Sequence, residues 1–264
     1  MKCVKNSYTY IVEQEQMIGQ RSNQEDAILC SGEQVYEKKG FLAVLSDGMG
    51  GLSDGEKFSA LATKAMVDSF ETTEPMEDMQ QELLNCFGEA QKRALALRGE
   101  GSQGGATVVA VLVRNYRCSF LSVGDSSICL LRKGGLIHLN REQKLGIALD
   151  ESAAFGYLDE EFAQNNTRRN SLTCHLGSEE EIHCDLCSEP FIVMPGDRIA
   201  LMSDGVTGVL SDEELVRALK RGSCRQAVRQ VMEDVQKKKN PRQDNASILL
   251  VGFEKIKRST FTEA

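Results

Sequence analysis

Apolar positions change their period in blocks along the chain, and the period of each block indicates an element. Residues 8–12 alternate apolar and polar, as a strand with one wet face does, and residues 26–30 suggest a second strand. Residues 41–45 are apolar without a break, as in a strand buried on both faces, and the run stops at Ser46-Asp47-Gly48-Met49-Gly50-Gly51. The pattern then becomes helical. Ser53 or Asp54 is placed to cap a helix reaching Phe70, and Leu83, Leu84, Phe87 and Ala90 form one stripe of a second helix over 76–97. Strands follow at 106–114, 117–123 and 128–132, and Lys133-Gly134-Gly135 turns the last into 136–139, which predicts an antiparallel meander. Residues 141–170 are polar and read as a flexible insertion with short helices. Strand pattern returns at 181–186 and 198–202. Ser211-Asp212-Glu213-Glu214 opens a helix with a capping box, a further helix covers 224–237, and a last strand covers 247–253.

Strands, a helix pair, strands, a helix pair and a strand leave no βαβ alternation. The simplest architecture is α+β: two antiparallel sheets packed together and flanked by helices. A chain of 264 residues with 41% hydrophobic content has ample core for a single domain over 1–264.

Charge narrows the class. Lys and Arg number 31 against 39 Asp and Glu, a net charge of −8, which disfavours nucleic acid and anionic lipid as partners. Apolar runs such as 106–113 fall far short of the roughly 20 residues of a membrane helix, and the first residues lack the apolar stretch of a signal peptide. A cytoplasmic protein is expected. Nine scattered cysteines, an odd number, read as reduced thiols. Cys174, His175, His183, Cys184 and Cys187 superficially offer a zinc set, but in a strand here Cys184 and Cys187 would point to opposite faces.

The informative feature is where acidic residues fall. Asp47 and Asp204 each end an apolar run within Ser-Asp-Gly, Asp125 follows a strand in Val-Gly-Asp-Ser, Asp244 precedes the last strand, and Glu25-Asp26 opens another. Any one of these alone reads first as a turn. Together they stand at strand starts and ends, which share an edge in antiparallel sheets, so they can converge. A bare carboxylate cluster repels itself or takes up protons; hard divalent cations, Mg²⁺ or Mn²⁺, resolve the conflict. Two such ions about 3.5–4 Å apart can activate a water for in-line attack on phosphorus, the chemistry of phosphoester hydrolysis. No Gly-x-x-x-x-Gly-Lys-Ser/Thr run supports a nucleotide-binding alternative.

Six motifs in order, Arg21-Ser22-Asn23-Gln24-Glu25-Asp26-Ala27, Ser46-Asp47-Gly48-Met49-Gly50-Gly51, Gly105-Ala106-Thr107, Val123-Gly124-Asp125-Ser126, Ser203-Asp204-Gly205 and Asp244-Asn245-Ala246-Ser247, carry a family likeness. Over about residues 8–254 the chain resembles the metal-dependent Ser/Thr protein phosphatases of type 2C (PPM), bacterial branch. The resemblance implies a four-layer α-β-β-α sandwich with two Mn²⁺ or Mg²⁺ ions at one end of the sheets. It implies Asp47 as the bridging ligand, a carbonyl of Gly48 on one ion, and Asp204 and Asp244 on the other. Glu25 would ligate directly or through water, Asp26 would orient a metal-bound water, Arg21 would bind phosphate, and Asp125 with Asp204 would hold a weaker third ion. Residues 141–170 match the family's flap, and 255–264 form a polar tail.

The implied reaction is attack of a metal-bridged water on phosphoserine or phosphothreonine in proteins. The implied partners are phosphorylated proteins, with a Ser/Thr kinase and its substrates, and the chain would act as a monomer. Two alternatives stand beside it: an inactive homologue that binds phosphorylated partners, and a regulatory phosphatase dedicated to one partner. Retention of Asp47, Asp204 and Asp244 argues against the first, since a binding module has no need of mutually repelling charges. The chain also departs from the pattern. Ser127 follows Gly-Asp-Ser where the family usually has Arg, residues 140–143 lack the expected Asp-His-Ser-like motif, and Met49 stands where eukaryotic relatives often carry His. His138, His175 and His183 therefore read as structural or exposed, and the leaving group would take its proton from water.

Overall fold

The computed structural model describes residues 8–49 and 54–255; Gly50, Gly51, Ser53 and the tail beyond Lys255 lie outside them. In chain order the first elements are β1 (Tyr8–Met17), β2 (Asp26–Cys30), α1 (Tyr36–Lys39), β3 (Phe41–Asp47), α2 (Gly55–Thr72) and α3 (Met79–Gly99). Next come β4 (Val108–Arg114), β5 (Arg117–Val123), β6 (Ser127–Arg132), β7 (Gly135–His138), α4 (Leu145–Ala154) and α5 (Glu160–Asn165). The chain continues through β8 (Asp185–Leu186), β9 (Phe191–Ile192), β10 (Arg198–Met202), α6 (Asp204–Thr207), α7 (Asp212–Leu219), α8 (Cys224–Lys237) and β11 (Ala246–Lys255).

One sheet has the order β1-β11-β10-β6-β7, the other β2-β3-β4-β5-β8 with β9 also on β5, and every pairing is antiparallel. Strand alternation explains the layers. Phe41, Ala43 and Leu45 of β3 meet Ile199, Leu201, Leu249 and Val251 between the sheets, while Leu42 and Val44 turn outward onto Phe58, Met66 and Leu83 of α2 and α3. On the second sheet Ala200 and Met202 turn outward onto Leu215, Val228 and Val231 of α7 and α8. A strand between two apolar layers cannot have a polar face, which is why the sequence shows unbroken runs there. The result is the four-layer α-β-β-α sandwich.

Differences from the sequence reading have local causes. The predicted meander is instead two hairpins in different sheets: β4 pairs β5 in one and β6 pairs β7 in the other. The crossing is made at Gly124, whose φ of 98° is left-handed and where a Cβ would lie 2.7 Å from the Thr107 side chain. β1 runs on to Met17 because its polar residues still pair with β11, from Tyr8↔Lys255 to Met17↔Ala246. The strand expected at 181–186 shrinks to Asp185–Leu186. Around it, Cys184 packs toward the helical layer and Cys187 between the sheets, so the two thiols do take opposite sides. Helix α3 starts at Met79 because the Asp78 carboxylate accepts the Gln80 and Gln81 N–H groups. Asp54 precedes α2 but its carboxylate pairs with Lys57 and accepts the Gln103 N–H instead of capping. The Ser211–Glu214 capping box is present, and Ser223 with Gln226 forms another.

The topology brings many strand ends to one edge. Register pairs Asp26 with Asp47, Val108 with Val123, Met202 with Ser127 and Met17 with Ala246. Loops 18–25 and 124–126 both cross between the sheets at that edge.

Away from it, Arg114 Nη2 lies 2.7 Å from Glu82 Oε2, whose side chain is 3% exposed, and Arg114 also donates to the Lys39 and Met76 carbonyls. Lys39 Nζ in turn donates to the Phe70, Glu71 and Thr73 carbonyls at the end of α2. Removing one partner leaves a buried charge uncompensated. Glu82→Ala should therefore lower unfolding stability by about 3 kcal/mol, read as a shift in the urea midpoint; a shift worth under about 1 kcal/mol would mean that the two carbonyls satisfy Arg114 alone.

Candidate active site

A cavity of about 450 Å³ opens at the shared edge, lined by Arg21, Glu25, Asp47, Gly48, Asp125, Asp204 and Asp244, with Met49, Thr107, residues 170–172 and His175 completing the wall. Every residue that the sequence reading assigned to the site lies here except Asp26, which is buried behind the wall.

Asp26 belongs to β2, yet its Oδ2 accepts hydrogen bonds from Ser203 Oγ at 2.9 Å and Ser247 Oγ at 2.6 Å, on the ends of β10 and β11 in the other sheet. Its Oδ1 is buried with no N–H or O–H donor, and the carboxyl interacts with that of Asp47. Asp47 is held through its backbone: its N–H donates to Thr107 Oγ1 at 3.0 Å, its carbonyl accepts the Thr107 N–H at 2.8 Å, and Thr107 Oγ1 lies 2.7 Å from Ser126 Oγ beside Asp125. Thr107 thus ties the Asp47 and Asp125 loops together.

Loop 18–25, which carries Arg21 and Glu25, is clamped by buried Asn245. Its Oδ1 accepts the Glu25 N–H at 2.7 Å, and its Nδ2 donates to the Ile18 and Asn23 carbonyls at 2.8 and 2.9 Å. Gly48 donates its N–H to the Glu25 carbonyl at 3.0 Å, and a Cβ on it would lie 2.4 Å from the Gly55 carbonyl oxygen. Only glycine permits that approach.

Crowded carboxylates resist ionisation. Burial, then Asp26, Asp204, Asp125 and Asp244, raise the Asp47 carboxyl well above its ordinary range. Burial, then Asp125 and Asp244, push Asp204 up to about 6. Asp26, Glu25 and Asp125 are also raised, chiefly by burial. Two internal cations answer part of this charge: Arg21 Nη2 lies 2.6 Å from Asp244 Oδ2, and Lys144 Nζ lies 3.3 Å from Asp125 Oδ2. No three His, Cys, Asp or Glu side chains among the described residues already form a closed ion cage. The donor set, carboxylate oxygens around one cavity with an orphaned buried oxygen behind it, fits hard divalent ions.

A family model for protein phosphatase 2C matches residues 14–248. The chain belongs to the protein phosphatase 2C family. Its relatives include the serine/threonine phosphatase stp of Listeria monocytogenes, 28% identical over 195 residues that make up 70% of this chain and 75% of that protein. The crystal structure of the Mycobacterium tuberculosis serine/threonine phosphatase PstP/Ppp superposes with a TM-score of 0.74 at 25% identity, covering 93% of this chain and 99% of that one. The PstP catalytic domain in complex with two manganese ions shares the fold, with a TM-score of 0.73 at 24% identity, covering 94% and 100%. This protein is a protein phosphatase with the fold of that family.

Several residues of the phosphatase site carry no signal of their own in the sequence. Ser203, Ser247, Thr107 and Asn245 lie inside the six motifs, but short polar residues beside Asp look like ordinary turn formers. His175 lines the cavity, its Nδ1 bonded to the Leu176 carbonyl at 3.0 Å, and no local pattern separates it from an exposed histidine.

The raised Asp204 carboxyl has a definite effect on stability. The folded chain holds a proton that the unfolded chain has lost between about pH 4 and 6, so stability falls as pH rises through that window and stays lowered above it. In chelator at pH 7, Asp204→Asn should melt higher than the parent, by on the order of 2 kcal/mol, and the difference should vanish near pH 4. Thermal melts at both pH values check this; a lower melting point for the variant at pH 7 would show that the carboxylate supports the fold.

Proposed function

We propose that this phosphatase hydrolyses phosphoserine and phosphothreonine in proteins, using two Mn²⁺ or Mg²⁺ ions held by the cavity carboxylates. The observation that carries the reading is Asp47, set among Asp26, Asp125, Asp204 and Asp244, in a cavity with a phosphate-sized basic group, Arg21, on its wall. The names of the relatives support the substrate class.

In this reading Asp47, Gly48, Asp204 and Asp244 would hold the two ions, with Glu25 a ligand directly or through water. When bound, two such ions lower the pKa of a water between them and offset charge on the phosphoryl oxygens. The chain's own residues do the positioning. Asp26, fixed by Ser203 and Ser247, keeps its carboxyl against that of Asp47, where it can accept from and orient a water. Arg21, half-exposed and paired to Asp244, can exchange that partner for two phosphate oxygens, which its planar fork suits. Residues 8–254 would act as one catalytic unit, with 141–170 as a flap beside the cavity, on phosphoproteins produced by a protein kinase.

A phosphothreonine peptide tests the reading directly. Release of phosphate should require added Mn²⁺ or Mg²⁺, stop in excess chelator, and fall at least about 100-fold in Asp47→Asn, as expected when a transition-state electrostatic group is lost. Full turnover in chelator would overturn the two-ion reading. A second variant isolates the phosphate contact: Arg21→Ala should bind Mn²⁺ like the parent while kcat/KM falls about 10- to 100-fold, the worth of one or two charged hydrogen bonds. Calorimetry with steady-state kinetics decides it; unchanged kinetics or lost metal binding would remove Arg21 from that role.

A further inference from the structure

Asp125 is the carboxylate that the two-ion reading leaves over, and the family likeness would give it a third ion. Its surroundings suit a different cation. The residue is 7% exposed, and its Oδ2 lies 3.3 Å from Lys144 Nζ, which also reaches Glu142 Oε2 at 3.0 Å.

The lysine is placed by the backbone as well as by charge. The Gln143 N–H donates to the Gly124 carbonyl at 2.9 Å, and the Gly124 N–H donates to Gln143 Oε1 at 2.8 Å. The Thr173 N–H donates to the Gln143 carbonyl at 2.9 Å, and Lys144 pairs with Leu172 in an isolated bridge. These bonds stitch the root of segment 141–170 to the loop carrying Asp125, with Lys144 directly preceding helix α4.

We infer that the Lys144 ammonium is a built-in cation that takes the charge-compensating place of a third metal ion at Asp125, so that this phosphatase binds two divalent ions and not three. The inference rests on the two-ion reading above. An ammonium offsets carboxylate charge and offers three donors, but it cannot act as a Lewis acid toward water. Its part is electrostatic. It differs from an exchangeable ion in being covalently attached at the root of segment 141–170, which the bonds to Gly124, Thr173 and Leu172 hold beside the Asp125 loop. Without Lys144, Asp125 and Glu142 would face one another as bare hard-oxygen donors, a set that attracts a divalent ion.

Counting bound Mn²⁺ on the full chain tests this, by calorimetry together with the electron paramagnetic resonance signal of free Mn²⁺ up to millimolar concentration. The parent and Lys144→Arg should each bind two ions, and Lys144→Ala should gain a third, weaker one. The Lys144→Ala/Asp125→Asn double variant should return to two. Three ions on the parent, or two on a folded Lys144→Ala, would overturn the inference while leaving the phosphatase reading intact. If Lys144→Ala does not fold, the parent against Asp125→Asn decides: equal counts support the resident cation, and one ion fewer in Asp125→Asn overturns it. No Mn²⁺ bound by the parent would remove the two-ion reading and this inference with it.

Discussion

A carboxylate from one sheet is hydrogen-bonded by two serines of the other, and the arrangement of the site depends on that contact. Asp26 opens β2, while Ser203 and Ser247 stand at the ends of β10 and β11. Because the carboxylate is buried, its solvation must come from those hydroxyls, which sets the spacing of the two sheets at this edge. Asp47 is its register partner, so the same contact fixes Asp47 relative to Asp204 and Asp244.

The cost of this arrangement is concentrated repulsion. Five acidic groups, Asp26, Asp47, Asp125, Asp204 and Asp244, influence one another in a partly buried setting, and the chain answers from within through Arg21 on Asp244 and Lys144 on Asp125. Stability is supplied elsewhere, by three apolar layers: between the sheets, under α2 and α3, and under α7 and α8. A rigid double sheet with helices on both outer faces can hold like charges together because the strain falls at strand ends, where loops and not core side chains would have to move.

Much of the site is built from residues without a charge. Asn245 satisfies one N–H and two carbonyls of loop 18–25 and so positions Arg21 and Glu25. Thr107 does the equivalent for Asp47 and the Asp125 loop. Gly48 and Gly124 are needed because another backbone or side chain lies where their Cβ would be. Such residues touch no substrate in the proposed reaction, yet they set the separations on which it depends.

Strands 26–30, 117–123 and 198–202, helix 224–237, the capping box at Ser211 and the carboxylates at strand ends can all be read from residues close together in the chain. Each of these is written in a period, a cap or a turn that spans a few neighbouring residues. That β6 leaves the sheet of β5, that Asp26 finds Ser247 at a separation of 221 residues, that Lys144 pairs with Asp125 and that His175 reaches the cavity follow only from the packed layers. The physical reason is range. Burial period is a local property of the chain, whereas the choice of sheet partner, the crossing of a loop and the counter-ion of a buried carboxylate are settled by groups far away in sequence that meet only when the layers pack.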